Sequence, residues 1–347
     1  MTAVTAAVLG KFDRRAATRW ALALLGAAIV FGILVMTKGA NPFSVYHSML
    51  STVTTSASTD GILLKATPLI FAALAVAVPA RAGMVNVGGE GQLVIGGVFA
   101  MGMSLAVNGH LPGQTTLVLM CIAAAVGGAL WAAIAAVLKL VIGINEAVST
   151  LLLNYLAINV MLFLIYDRWK DRHGSGQPAS RPLRVSERFS LIGSSKVHTG
   201  LILAVVMVAV IWWVMRSTRW GFQLRVVGGN PEAARRGGIR VGATLLSAML
   251  VGGALAGLGG VAQLAGAEFK LRQGFLATYG YMAFLASWLA RHKPINVALA
   301  AVVLAAISVT GDSLQLDSSL PAATVNVLMA LVLLAVFGWT RVKVARA

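Results

Sequence analysis

The chain has 347 residues, of which 58% are hydrophobic and only 11% are charged. Because soluble domains carry about 25% charged residues, this composition excludes a soluble globular protein and predicts a protein that lies in a lipid bilayer. The net charge of +17 raises nucleic-acid binding as an alternative. The basic residues are spread between apolar segments, as membrane topology requires, so no nucleic-acid partner is expected.

The apolar residues form long unbroken runs, which predict membrane-spanning helices. Strands of a β-barrel would instead show about ten residues of alternating hydrophobicity, and the 37 glycines suit helices that pack closely in a membrane. We therefore predict an all-α fold, a polytopic membrane helix bundle of about ten transmembrane helices that forms a single domain over residues 1–347. The predicted spans are 20–36, 66–80, 93–107, 115–138, 144–166, 198–215, 243–265, 280–290, 295–310 and 322–339.

Basic residues next to membrane spans are retained in the cytoplasm, and this rule sets the predicted orientation. With both termini in the cytoplasm, ten spans place 17 of the 28 Lys and Arg residues on the cytoplasmic side. The outer loop at 167–197 carries seven of the remaining basic residues and opposes the rule. This extracytoplasmic loop is expected to be a surface segment that either meets a partner or is only solvated.

A glycine-rich stretch at 83–92 follows the second predicted span. Its backbone and polar side chains would leave unpaired groups in hydrocarbon unless they face protein or water. Asn86, Glu90 and Gln92 are therefore predicted to lie beside a pathway through the membrane or at its inner mouth. An ordinary cytoplasmic hairpin loop explains the same composition. The stretch does not resemble a phosphate-binding loop, because no Gly-Lys-Ser/Thr follows it.

The fifth predicted span begins with a polar stripe. Glu146, Thr150 and Asn154 are spaced four residues apart, and Asn145 and Ser149 lie beside them on the same helical face. Since an ionisable side chain in a membrane helix is costly, Glu146 should face the bundle interior or an interface. The five residues are candidates for a substrate pathway. Hydrogen bonding between helices, at about 0.6 kcal/mol per contact, is an equally good interpretation.

The segment 216–242, between the sixth and seventh predicted spans, contains a predicted short helix. Asn230 can cap its N-terminus, Pro231 fits the first helical position, and Gly237 can end it in the left-handed conformation. A helix this short is not stable alone, so it must be held by the flanking spans or docked on another protein. The alternative is an amphipathic turn on the membrane surface. The residues of the predicted helix are Asn230, Pro231, Glu232, Ala233, Ala234, Arg235 and Arg236.

A weak internal repeat accompanies these segments. The pattern Gly-Gly-x-x-Gln-Leu occurs at 88–93 and again at 259–264. The two copies lie in halves that would run in opposite directions through the membrane, which is typical of transporters with inverted repeats. Residues 66–166 and 243–340 are therefore possible inverted repeats.

Taken together, these motifs resemble those of permease subunits of bacterial ABC importers. The similarity is to the branched-chain amino acid and simple-sugar permease superfamily, most closely to its nucleoside group, which is served by basic-membrane-protein lipoproteins. It extends from about residue 67 to residue 337. The motifs that carry it are Asn-Val-Gly-Gly-Glu-Gly-Gln at 86–92, Asn-Glu with Ser-Thr and Leu-Asn-Tyr at 145–155, Gly-Asn-Pro-Glu-Ala-Ala-Arg with Gly-Ile at 229–239, and Gly-Ala-Leu-Ala-Gly-Leu-Gly-Gly at 253–260.

The resemblance implies a subunit of an inner-membrane complex. It implies a second permease subunit, a substrate pathway at or near the interface between the two permeases, and an extracytoplasmic solute-binding protein. It also implies that the predicted helix at 230–236 inserts into a groove of an ATPase subunit. The chain itself has no Walker A sequence, so ATP and Mg²⁺ are expected on the partner ATPase. We expect no cofactor, no metal and no enzymatic activity in this chain.

The resemblance favours a nucleoside as the solute, followed by a simple sugar and then a branched-chain amino acid. A secondary transporter or channel driven by an ion gradient is the alternative from a different class. Such transporters need chains of ionisable groups inside their spans. Glu146 is the only acid that the sequence places well for this role, so the sequence favours the ABC importer.

Overall fold

A computed structural model of the chain describes residues 14–172, 176–318, 324 and 326–331. Twelve α-helices account for most of these residues, and the only β-pairing among them consists of isolated bridges. The predicted all-α fold is therefore confirmed for the described part of the chain. The helices are α1 (Arg14–Thr37), α2 (Pro42–Thr54), α3 (Ser56–Arg81), α4 (Gly89–Val107), α5 (Gly113–Val137), α6 (Glu146–Tyr166), α7 (Gly200–Ser217), α8 (Arg219–Gly229), α9 (Pro231–Arg236), α10 (Val241–Gln263), α11 (Tyr279–Leu289) and α12 (Pro294–Ser318).

Seven stretches of helix are long and apolar enough to cross a membrane. The number rises to eight if α1 and α2, which are bent by 116° at the break between them, form one span. The chain is thus a multi-pass helical membrane protein. The seven stretches found among the described residues are Ser58–Arg81, Gly89–Val107, Gly113–Ile142, Glu146–Tyr166, Gly200–Ser217, Val241–Glu268 and Pro294–Leu314.

The predicted count of about ten spans is not confirmed. The segment at 280–290 corresponds to α11, which has 11 residues. At about 1.5 Å per residue, α11 is roughly half as long as the hydrocarbon core is thick. The predicted span at 322–339 lies mostly outside the described residues.

Two helices near the N-terminus also differ from the sequence prediction. α3 begins at Ser56, well before the predicted span at 66–80, because the helix continues through the charged residues Asp60 and Lys65. The sequence does not predict α2, because its Ser and Thr side chains interrupt the apolar run. Asn41 caps α2 by accepting a hydrogen bond from the backbone N–H of Phe43 at 2.9 Å.

The chain divides into two compact units, Ser56–Ala306 and the pair of segments Met1–Thr55 and Ile307–Ala347. In the second of these, α1 and α2 pack through the rings of Phe31 and Tyr46, whose centroids are 6.1 Å apart. The larger unit contains α3 to α11 and the first half of α12. It holds every residue that the sequence assigns to a site, and a single domain over the whole chain stays a prediction.

Helix α10 lies at the centre of the larger unit and packs against α3, α4 and α5. Glycines make the contacts. Gly257 lies against Ala124 of α5 and Gly96 of α4, and Gly253 lies against Gly128 of α5. A Cβ atom at Gly257 would collide with the backbone of Ala124, and a Cβ atom at Gly96 would collide with the backbone of Gly257. The close packing predicted from the glycine content is therefore confirmed.

The larger unit has two ends, which we name by their contents. The α9 end holds α8, α9 and the C-termini of α3, α5 and α7. The cap end holds the segment 167–197 and the C-terminus of α10, because Leu183 N donates to the carbonyl oxygen of Phe269 at 2.7 Å. The two copies of the repeat pattern differ in setting, since 88–93 begins α4 and 259–264 ends α10. The inverted repeat stays a prediction.

Two helices of the larger unit begin inside the bundle rather than at one of its ends. After α3 the chain turns back, and Asn86 Nδ2 donates to the carbonyl oxygen of Ala75, 3.1 Å away and well inside α3. Helix α4 starts just beyond this point. From the cap end, the segment 269–278 runs down beside α4, where Phe275 packs on Gly97, and leads into α11. Discontinuous helices of this kind surround substrate sites in many transporters.

The segment 167–197, described at 167–172 and 176–197, packs onto the cap end. Glu187 is 1% exposed, and its Oε2 accepts a hydrogen bond from Ser104 Oγ of α4 at 2.8 Å. Arg181 and Arg184 donate to Asn108, the C-cap residue of α4, at 3.0 and 2.9 Å. Cations are favourable at a helix C-terminus. The segment is an ordered cap rather than a merely solvated loop, and its contact with a partner stays a prediction.

Candidate functional site

Four buried polar residues join the segment before α4 to α6, and we call Asn86, Gln92, Thr150 and Asn154 the polar clasp. The side chains of Asn86 and Gln92 hold each other through two hydrogen bonds of 3.0 Å. Asn86 Oδ1 also accepts from the backbone N–H of Gly88 at 3.0 Å. These bonds hold the turned-back segment in one conformation.

The other two clasp residues lie on α6. Asn154 accepts from the N–H of Gly91 at 2.8 Å and donates to the carbonyl oxygen of Val87 at 3.0 Å. Thr150 Oγ1 accepts from the N–H of Val87 at 3.2 Å. A Cβ atom at Gly91 would lie 2.9 Å from Cα of Asn154, so only glycine allows this approach. The clasp satisfies buried backbone groups that no helix satisfies.

The remaining candidates on α6 organise its first turn. Glu146 forms an ion pair with Lys139 at 2.6 Å and accepts from the N–H of Val85 at 3.2 Å. Asn145 caps α6 by accepting from the N–H of Ala147 at 2.8 Å. Ser149 Oγ donates back to the carbonyl oxygen of Asn145 at 3.2 Å. In these three residues, as in the clasp, the polar side-chain atoms bond to other protein groups. The geometry therefore favours hydrogen bonding within the protein over contact with a substrate.

Glu90 differs from the other candidates because its Oε2 atom has no hydrogen-bond partner. The side chain is only 7% exposed, and among the described residues just one other buried side-chain atom, His198 Nε2, is also unpaired. The backbone N–H groups of Thr278 and Gly280, at the start of α11, face the carboxylate. Gly280 packs on Gly89. The N-termini of α4 and α11 therefore meet at Glu90, and both favour a negative charge there.

Tyr281, which the sequence did not assign to a site, lies close to this carboxylate, and a second unassigned tyrosine, Tyr155, bonds to Tyr281. Tyr155 of α6 and Tyr281 of α11 are 60% and 47% exposed. Their hydroxyl groups are hydrogen-bonded to each other, and Tyr281 is close enough to Glu90 to interact with it electrostatically. We call Glu90, Tyr155 and Tyr281 the Glu90 site. The sequence could have indicated only Tyr155, which directly follows the polar stripe, because α11 joins the site through the fold alone.

The predicted helix at 230–236 is present as α9. Asn230 Oδ1 accepts hydrogen bonds from two backbone N–H groups of the first turn, both at 3.0 Å, and Pro231 occupies the first helical position. The left-handed residue is Gly238, with φ +79°, and not Gly237 as predicted. Gly237 keeps a negative φ of −79° because the chain continues one residue further before it turns.

Helix α9 displays its charged face to the outside. Ala234 is 1% exposed and anchors the helix, which also contacts α8 and α10. The side chains of Glu232, Arg235 and Arg236 are 58%, 70% and 81% exposed. Glu232 forms ion pairs with both arginines at 3.3 and 3.4 Å. A rigid, exposed and charged segment of this kind suits contact with another protein, and its coupling role stays a prediction.

The fold and the site together define a class of protein. Several membrane-spanning helices surround two helices that begin inside the bundle, and an unpaired carboxylate oxygen lies where those two helices meet. A short exposed helix is held at one end. This combination is typical of membrane transport proteins.

Comparison with known proteins assigns the family. Residues 58–337 match the family described as branched-chain amino acid transport system / permease component, and the chain belongs to this family. The matched segment begins in the first turn of α3 and ends beyond α12. It therefore includes the polar clasp, the Glu90 site and α9.

Three relatives illustrate the substrates for which similar proteins are named. The chain is 35% identical over 324 residues to the glucose ABC transporter permease protein TsgB13 of Haloferax volcanii, covering 90% of this chain and 85% of that protein. It is 29% identical to the guanosine ABC transporter permease protein NupP of Bacillus subtilis, with 77% of each chain covered. It is also 29% identical to the nucleoside ABC transporter permease protein NupB of Lactococcus lactis, with 88% of each covered. The resemblance to ABC permeases with nucleoside relatives is confirmed.

Proposed function

We propose that this chain is the permease subunit of an ATP-driven importer in a bacterial cytoplasmic membrane. In this proposal the α9 end and both termini lie in the cytoplasm, and the cap end faces the extracytoplasmic solute-binding protein. A second permease and separate ATPase subunits, which bind ATP and Mg²⁺, complete the complex. Family membership and the exposed, capped helix α9 support this proposal.

Helix α9 is the proposed contact with the ATPase. Its three exposed charged side chains offer a rigid surface, and Ala234 transmits any displacement of α9 to α8 and α10. Alternating access requires that such a displacement reach the helices around the substrate. Because α10 packs on α3, α4 and α5 through glycines that leave no free space, movement of α10 reaches the start of α4 beside Glu90.

Replacing the exposed face of α9 tests this contact. We expect the triple variant Glu232→Ala, Arg235→Ala and Arg236→Ala to keep its fold and to lose ATP-driven uptake, because none of the three side chains is buried. The control is Lys38→Ala, which removes an exposed cation from the smaller compact unit, a region that neither proposed docking face includes. Uptake by the triple variant at the wild-type rate contradicts the proposed role of α9.

A nucleoside is the proposed solute, and the unpaired Oε2 atom of Glu90 carries this proposal. A carboxylate oxygen can accept hydrogen bonds from the ribose hydroxyl groups or from a base N–H. The exposed rings of Tyr155 and Tyr281 offer faces on which a planar base can stack. The Glu90 site therefore combines the two kinds of contact that a nucleoside needs.

A simple sugar is the second candidate, favoured by the 35% identity to the permease named for glucose. Sugar hydroxyl groups can use the same carboxylate, and the same ring faces can pack on sugar C–H groups. An ion-gradient-driven transporter is less well supported, because the acid proposed for it, Glu146, is held in an ion pair with Lys139.

Uptake into proteoliposomes separates these candidates. The purified complex with its binding protein is supplied with labelled guanosine or labelled glucose, with ATP inside or with a proton gradient alone. We expect ATP-dependent accumulation of guanosine and none of glucose. Accumulation of glucose alone supports the second candidate, and accumulation of either solute without ATP contradicts the importer proposal.

A further inference from the structure

A cavity of the larger unit lies at the α9 end, between the C-termini of α3 and α7, helix α8 and the start of α12. Its volume is about 380 Å³. We call it the basic pocket, because four of its lining side chains are cationic. The residues that matter for its chemistry are Arg81, Arg216, Arg225, Lys293, Trp212 and Ile295.

The positive charge of the basic pocket is not compensated by the protein. Arg81 Nε donates to the carbonyl oxygen of His292 at 3.1 Å, and Arg225 donates to the carbonyl oxygen of Met215. Both acceptors are neutral, so neither bond removes charge. Among the described residues, no ion pair involves any of the four cations. Arg81 and Arg225 repel each other, and such an arrangement attracts an anion.

The acids at this end of the unit are already engaged. Glu146 is paired with Lys139, and Glu232 is paired with Arg235 and Arg236. Burial and the nearby Arg81 guanidinium lower the pKa of His292 to about 4. His292 is therefore neutral at physiological pH and does not add to the charge. The missing counter-charge must come from outside the described part of the chain.

The first turn of α12 adds donors to the pocket. Pro294 is the first residue of this helix, and the pocket is lined by the residues from 293 to 296. The first N–H groups of a helix have no partner within the helix. Those of Ile295 and Asn296 therefore remain available at the positive end of α12, where phosphate groups bind readily.

Exposed apolar side chains line the basic pocket beside its cations. Trp212 and Ile295 are 39% and 48% exposed. Beyond them the outer surfaces of α7 and α12 stay apolar, with Trp213 and Leu299 57% and 63% exposed. The pocket thus joins a group of cations to a surface suited to hydrocarbon. A soluble anion would use only the cations.

We propose that the basic pocket binds one anionic phospholipid, with its phosphate on the arginines and its acyl chains along α7 and α12. Basic pockets between membrane helices recognise anionic headgroups in this way. The guanidinium groups supply paired donors for phosphate oxygens, which a lysine in their place does not. The bound lipid lies against the α7–α8 junction, next to α9.

Native mass spectrometry of the full-length chain in detergent tests this site. The probes are phosphatidylglycerol and phosphatidylcholine at equal concentration, with and without inorganic phosphate as competitor. The pocket variant is Arg81→Gln with Arg225→Gln. The matched control, Arg219→Gln with Arg240→Gln, removes the same charge from two exposed residues that do not line the pocket.

We expect the wild type and the control to bind phosphatidylglycerol in preference to phosphatidylcholine. Each cation near an anionic lipid raises the affinity for that lipid about fivefold. The pocket variant lacks two cations, so it should bind phosphatidylglycerol roughly 30-fold more weakly. Lys293→Gln changes an exposed side chain, so it should fold normally and weaken binding about fivefold. Equal binding by wild type and Lys293→Gln overturns the proposal. Displacement of the lipid by millimolar phosphate also overturns it, because the site would then select the phosphate group alone.

Discussion

The polar clasp and the Glu90 site are neighbours on α4, yet they use their polar atoms differently. Gln92 and Asn86 bond to each other, and the α6 residues of the clasp bond to backbone groups. Glu90, two residues from Gln92, keeps one buried oxygen without a partner. A polar residue in a membrane helix therefore indicates a substrate contact only when other protein groups do not use its hydrogen-bonding capacity.

The largest expected effect concerns the clasp. Asn154→Leu removes the partners of Gly91 N–H and Val87 C=O, and each unpaired buried group costs about 1–3 kcal/mol. We expect a large loss of thermal stability in detergent and little folded protein in the membrane. Asn159→Leu is the control, since Asn159 is exposed and bonds only to the carbonyl oxygen of Tyr155 on its own helix. Equal stability of the two variants contradicts the structural role of the clasp.

The second effect concerns Glu90. Glu90→Gln should leave thermal stability unchanged and reduce solute uptake by about 10- to 100-fold, because a hydrogen bond to a charged group contributes about 1.5–3 kcal/mol. The mirror variant, Gln92→Glu, loses the donor to Asn86 Oδ1 and should lower stability instead. Thermal unfolding and uptake are measured on both. If both variants lose only stability, the two regions do not differ in function.

A smaller effect is expected at Glu146. Glu146→Gln removes the ion pair with Lys139, whose side chain is 30% exposed. The Glu146 side chain is only 9% exposed, but water can solvate the Lys139 ammonium group that the variant leaves unpaired. The loss should therefore be close to that of a surface pair, about 1 kcal/mol or less, and unfolding should begin only slightly earlier on heating. Uptake per folded transporter should not change. Loss of uptake with full stability would return Glu146 to the list of transport residues and favour an ion-coupled mechanism.

The smallest effect tests whether an unpaired atom alone marks function. His198 also has an unpaired nitrogen, but it stacks on Phe189 in the cap, and burial lowers its pKa to about 4 from the usual 6.5. Between pH 6.5 and 4 the unfolded chain binds more protons, so stability is complete above pH 6.5 and falls as the pH drops towards 4. His198→Phe should weaken this pH dependence of the melting temperature and leave uptake at pH 7 unchanged.

Local sequence signals predicted part of this structure well. Helix α9 follows from its own capping residues, and the start of α6 follows from Asn145, which lies next to the helix that it caps. The glycine contacts of α10 follow from composition. In each case the determining residues are close together in the chain or act through their size alone.

Long-range features could not be predicted in this way. The unpaired oxygen of Glu90 depends on where α11 begins, almost two hundred residues later in the chain. The apolar segment at 280–290 predicts a span, but only the fold shows that 269–278 has already descended beside α4. In the predicted orientation, Arg181 and Arg184 oppose the positive-inside rule. Their hydrogen bonds to the C-terminus of α4 explain their position in the fold, and a count of charges along the sequence does not reveal such a contact.

Solute protection of a cysteine at the Glu90 site tests the central claim most directly. Tyr281→Cys is introduced with Cys121→Ser, and labelling by a water-soluble maleimide is followed in the assembled complex with and without guanosine and its binding protein. Lys38→Cys, at an exposed position in the turn between α1 and α2 and outside the spans, is the control. We predict that solute slows labelling at position 281 at least fivefold, as expected for a contact of about 1 kcal/mol, and has no effect at position 38. Equal labelling at position 281 with and without solute would contradict a pathway past Glu90.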